Sequence, residues 1–175
     1  DPVAQLRAVR AAAPTPRMIV DPNESWSIAH VEVIQGLARE LRIDLLEQPL
    51  PAGEDDTLRG YASVIPIAAD ESVHVAADLD SLPDGYGVVN IKLDKAGGLT
   101  AALALAEAAR ARGLGVMTGC MICSSLSIAP AWAIAAQSDF VDLDGPLWLA
   151  TDRAGGFAGD KGYLLPAQPG FWGGL

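Results

Sequence analysis

Four short apolar runs end in a charged residue at near-equal intervals: Met18-Ile19-Val20-Asp21, Asp44-Leu45-Leu46-Glu47, Ile67-Ala68-Ala69-Asp70 and Val88-Val89-Asn90-Ile91-Lys92. The charged ends are 26, 23 and 22 residues apart, close to the length of one strand, one helix and two loops. A chain that repeats such a unit sets its charged residues at equivalent ends of successive parallel strands. A ring of strand ends is where barrel enzymes carry their chemistry.

Across the whole chain the repeated unit is an apolar strand, a polar or acidic end and an Ala/Leu-rich helix. Six strands are expected: Arg17–Val20, Asp44–Glu47, Ile65–Ala69, Val88–Lys92, Gly115–Thr118 and Phe140–Asp144. Helices are expected over Pro2–Ala13 behind Asp1, Trp26–Arg42 with Ser25 as cap, Leu99–Arg112 ahead of Gly113, and Ser124–Ala136. Asp55–Ala62 reads as a shorter helix and Val75–Leu79 as a turn or two.

Strand–helix alternation leaves an open doubly wound sheet or a closed (β/α)8 barrel. An open sheet gathers its ligand at one switch point, usually behind a Gly-rich phosphate loop, and no Gly-x-Gly-x-x-Gly or Walker pattern occurs here. Charges at several successive strand ends favour the barrel. The expected fold is therefore α/β, a partial (β/α)8 barrel of about six units. Residues 1–175 would form its C-terminal part, with two strands and a preceding domain expected upstream, the latter a capping domain by the family resemblance given below.

With 22 acidic against 12 basic residues the formal net charge is −10. This argues against nucleic acid or an anionic membrane as partner and for a small substrate or a cation. The longest apolar stretches are interrupted by Pro130, Asp142, Asp144 and Pro146, too early to span a bilayer. The opening residues lack the basic start and apolar middle of a secretory signal, so a cytoplasmic location is expected. Cys120 and Cys123 form one Cys-x-x-Cys with no second pair and no nearby His, which speaks against zinc. They read as reduced thiols lining a pocket.

Taken singly, an acidic residue at such a position is equally well a helix cap or a solvated turn residue. Three at matched spacing are different: Asp21, Glu47 and Asp70 would converge, and three carboxylates do not stay ionised together without a cation. Oxygen-only donors select a hard divalent ion, Mg²⁺ first and Mn²⁺ as an alternative. Lys92, closing an otherwise apolar run, is the expected general base, its pKa lowered by desolvation and the nearby cation. Asp142-Leu143-Asp144 follows the strand period of two, so both carboxylates would share a face suited to a substrate ammonium. Asp144 is also a natural first residue for the turn at Gly145-Pro146. His30 and His74 lack spaced partners and are expected to be non-catalytic.

The segments Val20-Asp21-Pro22-Asn23-Glu24-Ser25-Trp26, Glu47-Gln48-Pro49-Leu50, Ala69-Asp70-Glu71-Ser72, Asn90-Ile91-Lys92-Leu93-Asp94-Lys95-Ala96-Gly97-Gly98 and Asp142-Leu143-Asp144-Gly145-Pro146 come in a telling order. In order and spacing they resemble the motifs of the enolase superfamily, and within it the dipeptide epimerases of the muconate-lactonizing type. The resemblance runs through nearly the whole chain. It implies Asp21, Glu47 and Asp70 as Mg²⁺ ligands with Asn23 and Glu71 supporting them. It implies Lys92 as one of two opposed lysines, Asp142 and Asp144 as binders of a dipeptide's free amino group, and Cys120 and Met121 as pocket lining. The implied reaction is inversion at one α-carbon by 1,1-proton transfer through an enediolate, on an L-Ala-D/L-Glu type dipeptide. An N-acylamino acid racemase or a cycloisomerase on the same scaffold is the alternative. The second lysine, expected in a Lys-x-Lys, has no counterpart in these residues. A catalytically silent fragment that needs its upstream segment, or a homo-oligomer, therefore stands as a further expectation.

Overall fold

The computed structural model describes residues 1–172. In chain order it contains α1 (Pro2–Ala12), β1 (Ile19–Val20), α2 (Ile28–Leu41), β2 (Leu45–Glu47), β3 (Ile67–Ala69) and β4 (Val88–Lys92). There follow α3 (Leu93–Ala96), α4 (Leu99–Ala111), β5 (Gly115–Gly119), α5 (Ser125–Ile128), α6 (Trp132–Ala135), β6 (Phe140–Val141), β7 (Ala158–Asp160) and β8 (Tyr163–Leu165). The strands β1 to β6 follow one another in sheet order as they do in sequence. Helices intervene, so the class is mixed α/β, that of consecutive units of a (β/α)8 barrel. Two compact units are distinguished: Asp1–Ser72 with Ser81–Val88, and Val73–Asp80 with the residues from Val89 onward.

In the first unit β2 and β3 are buried at every position, as expected of strands covered on both faces. β1 pairs with β2 and β2 with β3 in parallel. The amide of Gly87, leading into β4, donates to Ile67 O at 2.9 Å. Helix α2 turns Val31, Ile34, Gln35, Ala38 and Leu41 inward, the spacing of one helical face. Its N-cap is Ser27, where Ser25 was expected. Ser25 is occupied elsewhere, its hydroxyl donating to Pro22 O at 2.5 Å, and Trp26 N–H donates to Pro49 O at 3.0 Å. His30 belongs to this cap, its Nδ1 accepting from Ser27 N–H at 3.3 Å.

Three strands, β1, β2 and β3, begin later than expected, and at β1 and β3 side chains take the first backbone groups. Met18 N–H donates to Asp44 Oδ2 at 2.8 Å. The buried Gln35 amide donates to Ile65 O at 3.0 Å and accepts from Val64 and Ile65 N–H at 2.7 and 2.9 Å. Helix α1 buries no residue. It is held by Arg10, whose guanidinium donates to the carbonyls of Leu41, Ala13, Pro16 and Arg42 at 2.8–2.9 Å.

In the second unit α4 packs Ala102, Leu105 and Ala109 inward, and β5 pairs in parallel with β6 through Met117↔Phe140 and Thr118↔Val141. The helix expected over Ser124–Ala136 is interrupted: α5, a 3-10 turn at Ala129–Ala131 and α6 replace it. Pro130 has no amide to continue the helical ladder. The Asp55–Ala62 helix shrinks to a 3-10 turn over Asp55–Leu58, whereas the turn near Val75–Leu79 is observed as a 3-10 turn at Ala76–Asp80. The last expected strand stops at Val141, because Asp144 already adopts helical backbone and accepts from Leu147 N–H at 2.8 Å to start another 3-10 turn. Two elements were not foreseen: α3, and the antiparallel hairpin β7–β8. Among the described residues no helix is long and apolar enough to cross a membrane.

Candidate functional site

In the first unit, strand register places the three acidic residues. Val20 stands opposite Leu46, so the next positions, Asp21 and Glu47, are level at the ends of β1 and β2. Glu47 stands opposite Ala68, and Asp70 is two residues further on. Alternation by two then assigns Asp21, Glu47 and Asp70 to the same sheet face. Glu47 and Asp70 are only 3% and 2% exposed, while Asp21 is exposed. Buried carboxylates require charge compensation, and an all-oxygen donor set suits a hard divalent cation. Among the described residues no group of three or more His, Cys, Asp or Glu side chains is arranged as a ready metal site.

The acids sit in strongly fixed backbone. Asn23 has left-handed φ of 47°, and its N–H and side-chain amide donate to the two oxygens of Asp21 at 2.7 and 2.8 Å. Expected as a supporting residue, Asn23 thus fixes the orientation of the Asp21 carboxylate. Glu71, the other expected supporter, follows Asp70 and is half-buried. Gln48, next to Glu47, was not singled out in the sequence and is fully buried. Its Oε1 accepts from the N–H groups of Asp70 and Ser72 at 2.8 and 3.2 Å. Its Nε2 donates to Leu50 O, Ser72 Oγ and Tyr86 Oη at 2.9, 2.8 and 3.0 Å. Ser72 Oγ and Tyr86 Oη both donate to Asp55 Oδ2, at 2.6 and 2.8 Å. Burial pushes the Tyr86 hydroxyl far above its ordinary range, so it remains a donor.

In the second unit Lys92 ends β4, half-buried. Gly119, at the end of β5, lies against its aliphatic chain. A Cβ at Gly119 would stand 2.6 Å from Asn90 Oδ1, 2.8 Å from Asn90 Nδ2 and 3.0 Å from Lys92 Cε. Only a residue without a side chain leaves both in place. Lys95 lies in α3.

The Asp142–Asp144 pair lies beyond the strand, yet the expected alternation persists: Leu143 is 4% exposed, while Asp142 and Asp144 on either side keep exposed surface, the Asp142 carboxyl being partly desolvated. The Asp142 carboxyl is raised above the usual carboxylate range, first by desolvation and then by the charge of Asp144. Lys92 acts on it in the opposite direction, as a nearby positive charge. Asp144 Oδ2 accepts from Trp148 Nε1 at 2.8 Å, so it serves the turn as well. Cys120 and Cys123 are free thiols. Burial, the foremost cause, pushes Cys120 up to about 12 and raises Cys123 as well. Gly145 N–H donates to Cys120 Sγ at 3.3 Å, and Met121 is 46% exposed. His74 takes no part: its N–H donates to Asp78 Oδ2 at 2.8 Å in a local turn.

Residues 1–171 match the family described as enolase C-terminal domain-like. N-acetyl-D-glutamate racemase of Pseudoalteromonas sp is 47% identical over 174 residues, covering 99% of this chain and 55% of that protein. L-Ala-D/L-Glu epimerase of Escherichia coli is 49% identical over 148 residues, covering 85% of this chain and 46% of that protein. The chain thus spans about half the length of the curated relatives it matches. Among solved structures, an Agrobacterium tumefaciens enolase family member with homology to dipeptide epimerases, holding sodium and L-Ala-L-Glu, superposes with a TM-score of 0.93. It is 50% identical, with 99% of this chain and 53% of that one covered. A Methylococcus capsulatus dipeptide epimerase holding Mg is 38% identical with a TM-score of 0.84, over 94% of this chain and 51% of that one.

Proposed function

We propose that this chain, which belongs to the enolase C-terminal domain-like family, supplies the metal-binding and proton-transfer residues of an Mg²⁺-dependent dipeptide epimerase. The observation that carries the reading is the register of β1, β2 and β3, by which Asp21, Glu47 and Asp70 share one face. These three would hold the ion, which when bound supplies positive charge for a substrate carboxylate. Lys92 moves the proton at the substrate α-carbon. An α-proton beside a carboxylate is very weakly acidic, so its removal demands a positioned base. Asp142 and Asp144 receive the free amino group of the dipeptide, and Cys120 and Met121 line its pocket. On this reading residues 1–175 are the C-terminal part of one barrel domain.

The 47% identity to an N-acetyl-D-glutamate racemase supports a second reading, racemisation of N-acylamino acids. Such substrates carry no ammonium, so the Asp142–Asp144 pair is the feature that separates the two. The test is α-proton exchange in D₂O with Mg²⁺, followed by NMR, on L-Ala-L-Glu and on N-acetyl-glutamate. Faster exchange of the dipeptide supports the epimerase, and faster exchange of the N-acyl compound selects the racemase. Exchange of neither by this chain selects the catalytically silent fragment that needs its upstream segment, and exchange of neither by a version extended upstream overturns both readings.

A further inference from the structure

One buried side chain in the first unit, that of Gln48, turns its oxygen toward the backbone of Asp70 and its nitrogen toward Leu50 O and the Ser72 and Tyr86 hydroxyls. Gln48 leaves β2 with a positive φ of 27°, in the left-handed region that side chains avoid. Its backbone nevertheless stays tied, donating to Ala68 O at 2.8 Å and accepting from Glu24 N–H at 2.9 Å. Its side chain is fully buried. It accepts the amide proton of Asp70 itself at 2.8 Å. One side chain therefore spans the ends of β2 and β3, adjacent in sequence to one acid and bonded to the backbone of another.

We infer that Gln48, held by Ser72, Tyr86 and Asp55, is a positioning residue that sets the spacing of Glu47 and Asp70 for the cation. The inference rests on the metal reading above. Gln48 is 0%, Tyr86 2% and Asp55 5% exposed, so the bonds among them are shielded from water and hold their geometry. The Asp55 carboxylate accepts two hydroxyl protons, which fixes Ser72 Oγ and Tyr86 Oη as acceptors toward the Gln48 amide. That in turn fixes the amide orientation: Nε2 toward the hydroxyls, Oε1 toward the Asp70 and Ser72 amides. The strain at Gln48 is the cost of reaching this arrangement, and such strain gathers where function requires it.

The test is calorimetric titration of the metal-stripped protein with MgCl₂ alone, alongside thermal unfolding without metal. Gln48→Met keeps the bulk and removes both polar atoms. Its Kd for Mg²⁺ is expected to rise about 10–100-fold, the range seen for residues that orient metal ligands. Ser72→Ala is a milder variant, secure against outright misfolding of Gln48→Met, and is expected to weaken binding in the same direction. Ser72→Thr keeps the hydroxyl and is expected to bind as the unaltered protein does. A purely structural network would lower the melting temperature of the first two variants and leave the Kd of the folded protein unchanged, which would overturn the inference. Absence of Mg²⁺ binding in the unaltered protein would instead remove the metal reading, and the inference with it.

Discussion

Replacing Gly119 by Ala tests the link between packing and chemistry at Lys92. The added Cβ would lie 2.6 Å from Asn90 Oδ1, whereas ordinary contact begins at 3.4 Å, so about 0.8 Å of movement is needed. Asn90 is 2% exposed and has little room to yield, while Lys92 Cε, 3.0 Å from the new atom, lies on a longer side chain. Overpacking of this kind costs about 1–3 kcal/mol. Gly119 is not among the residues of positive φ, so Ala also removes unfolded-state freedom, a gain of about 0.4–1 kcal/mol. The net loss is about 0–2.6 kcal/mol, a fall in Tm of at most about 10 °C for a chain of this size. Function is expected to suffer far more, since a misplacement on the order of 1 Å can cost about 10²-fold in rate. The assay is differential scanning calorimetry together with α-proton exchange of L-Ala-L-Glu in D₂O. A rise in Tm with unchanged exchange would refute the reasoning, because it would mean that the Cβ meets nothing.

Lys92→Gln removes the proton carrier and leaves a neutral polar side chain one atom shorter, and is expected to abolish α-proton exchange while Mg²⁺ titration still shows binding. Asp142→Asn is a pH experiment. Because burial and Asp144 raise the folded-state pKa of Asp142, the favourable contribution of this group is present below the ordinary carboxylate value and lost as pH rises through the raised one. The Asn variant should therefore melt above the parent at pH 7, with the gap closing toward pH 3; a gap independent of pH would count against the shift. A thiol near 12 holds on the order of 10⁻⁴ of its population as thiolate at pH 8, and the thiolate is the reactive form. Cys120 is thus expected to resist a disulfide reagent until the protein unfolds, and rapid modification of the native protein would contradict its burial.

The charged strand ends were legible because they follow from local period: the apolar runs are strands, and β4 has the expected bounds of Val88–Lys92. The same logic found α1 and α4 to within a residue or two. Errors arose where a side chain captured backbone that a strand or helix would have used, as Asp44 does at Met18 and Gln35 at Ile65. The break at Pro130 was written in the sequence, yet the apolar run from Ile128 to Ala136 outweighed it. The Gln48 network was out of reach for a different reason. Tyr86 and Asp55 are 31 residues apart in sequence, and nothing near either one marks them as partners. The room left by Gly119 is likewise a property of two neighbouring strands, invisible in either alone.

Helix α1 lacks any buried side chain and depends on the four carbonyls gathered by Arg10. Its remaining tether is the exposed pair of Arg7 and Glu40 at 3.0 Å, so its amide hydrogens should exchange with solvent through local fluctuation, independently of global unfolding. Strand β2, covered at every position, belongs to the opposite extreme and should exchange only when the whole unit comes apart. The first unit therefore carries its slowest and its fastest backbone within fifty residues of each other, and a single protease cut near Ala13 would leave α1 attached by side-chain bonds alone.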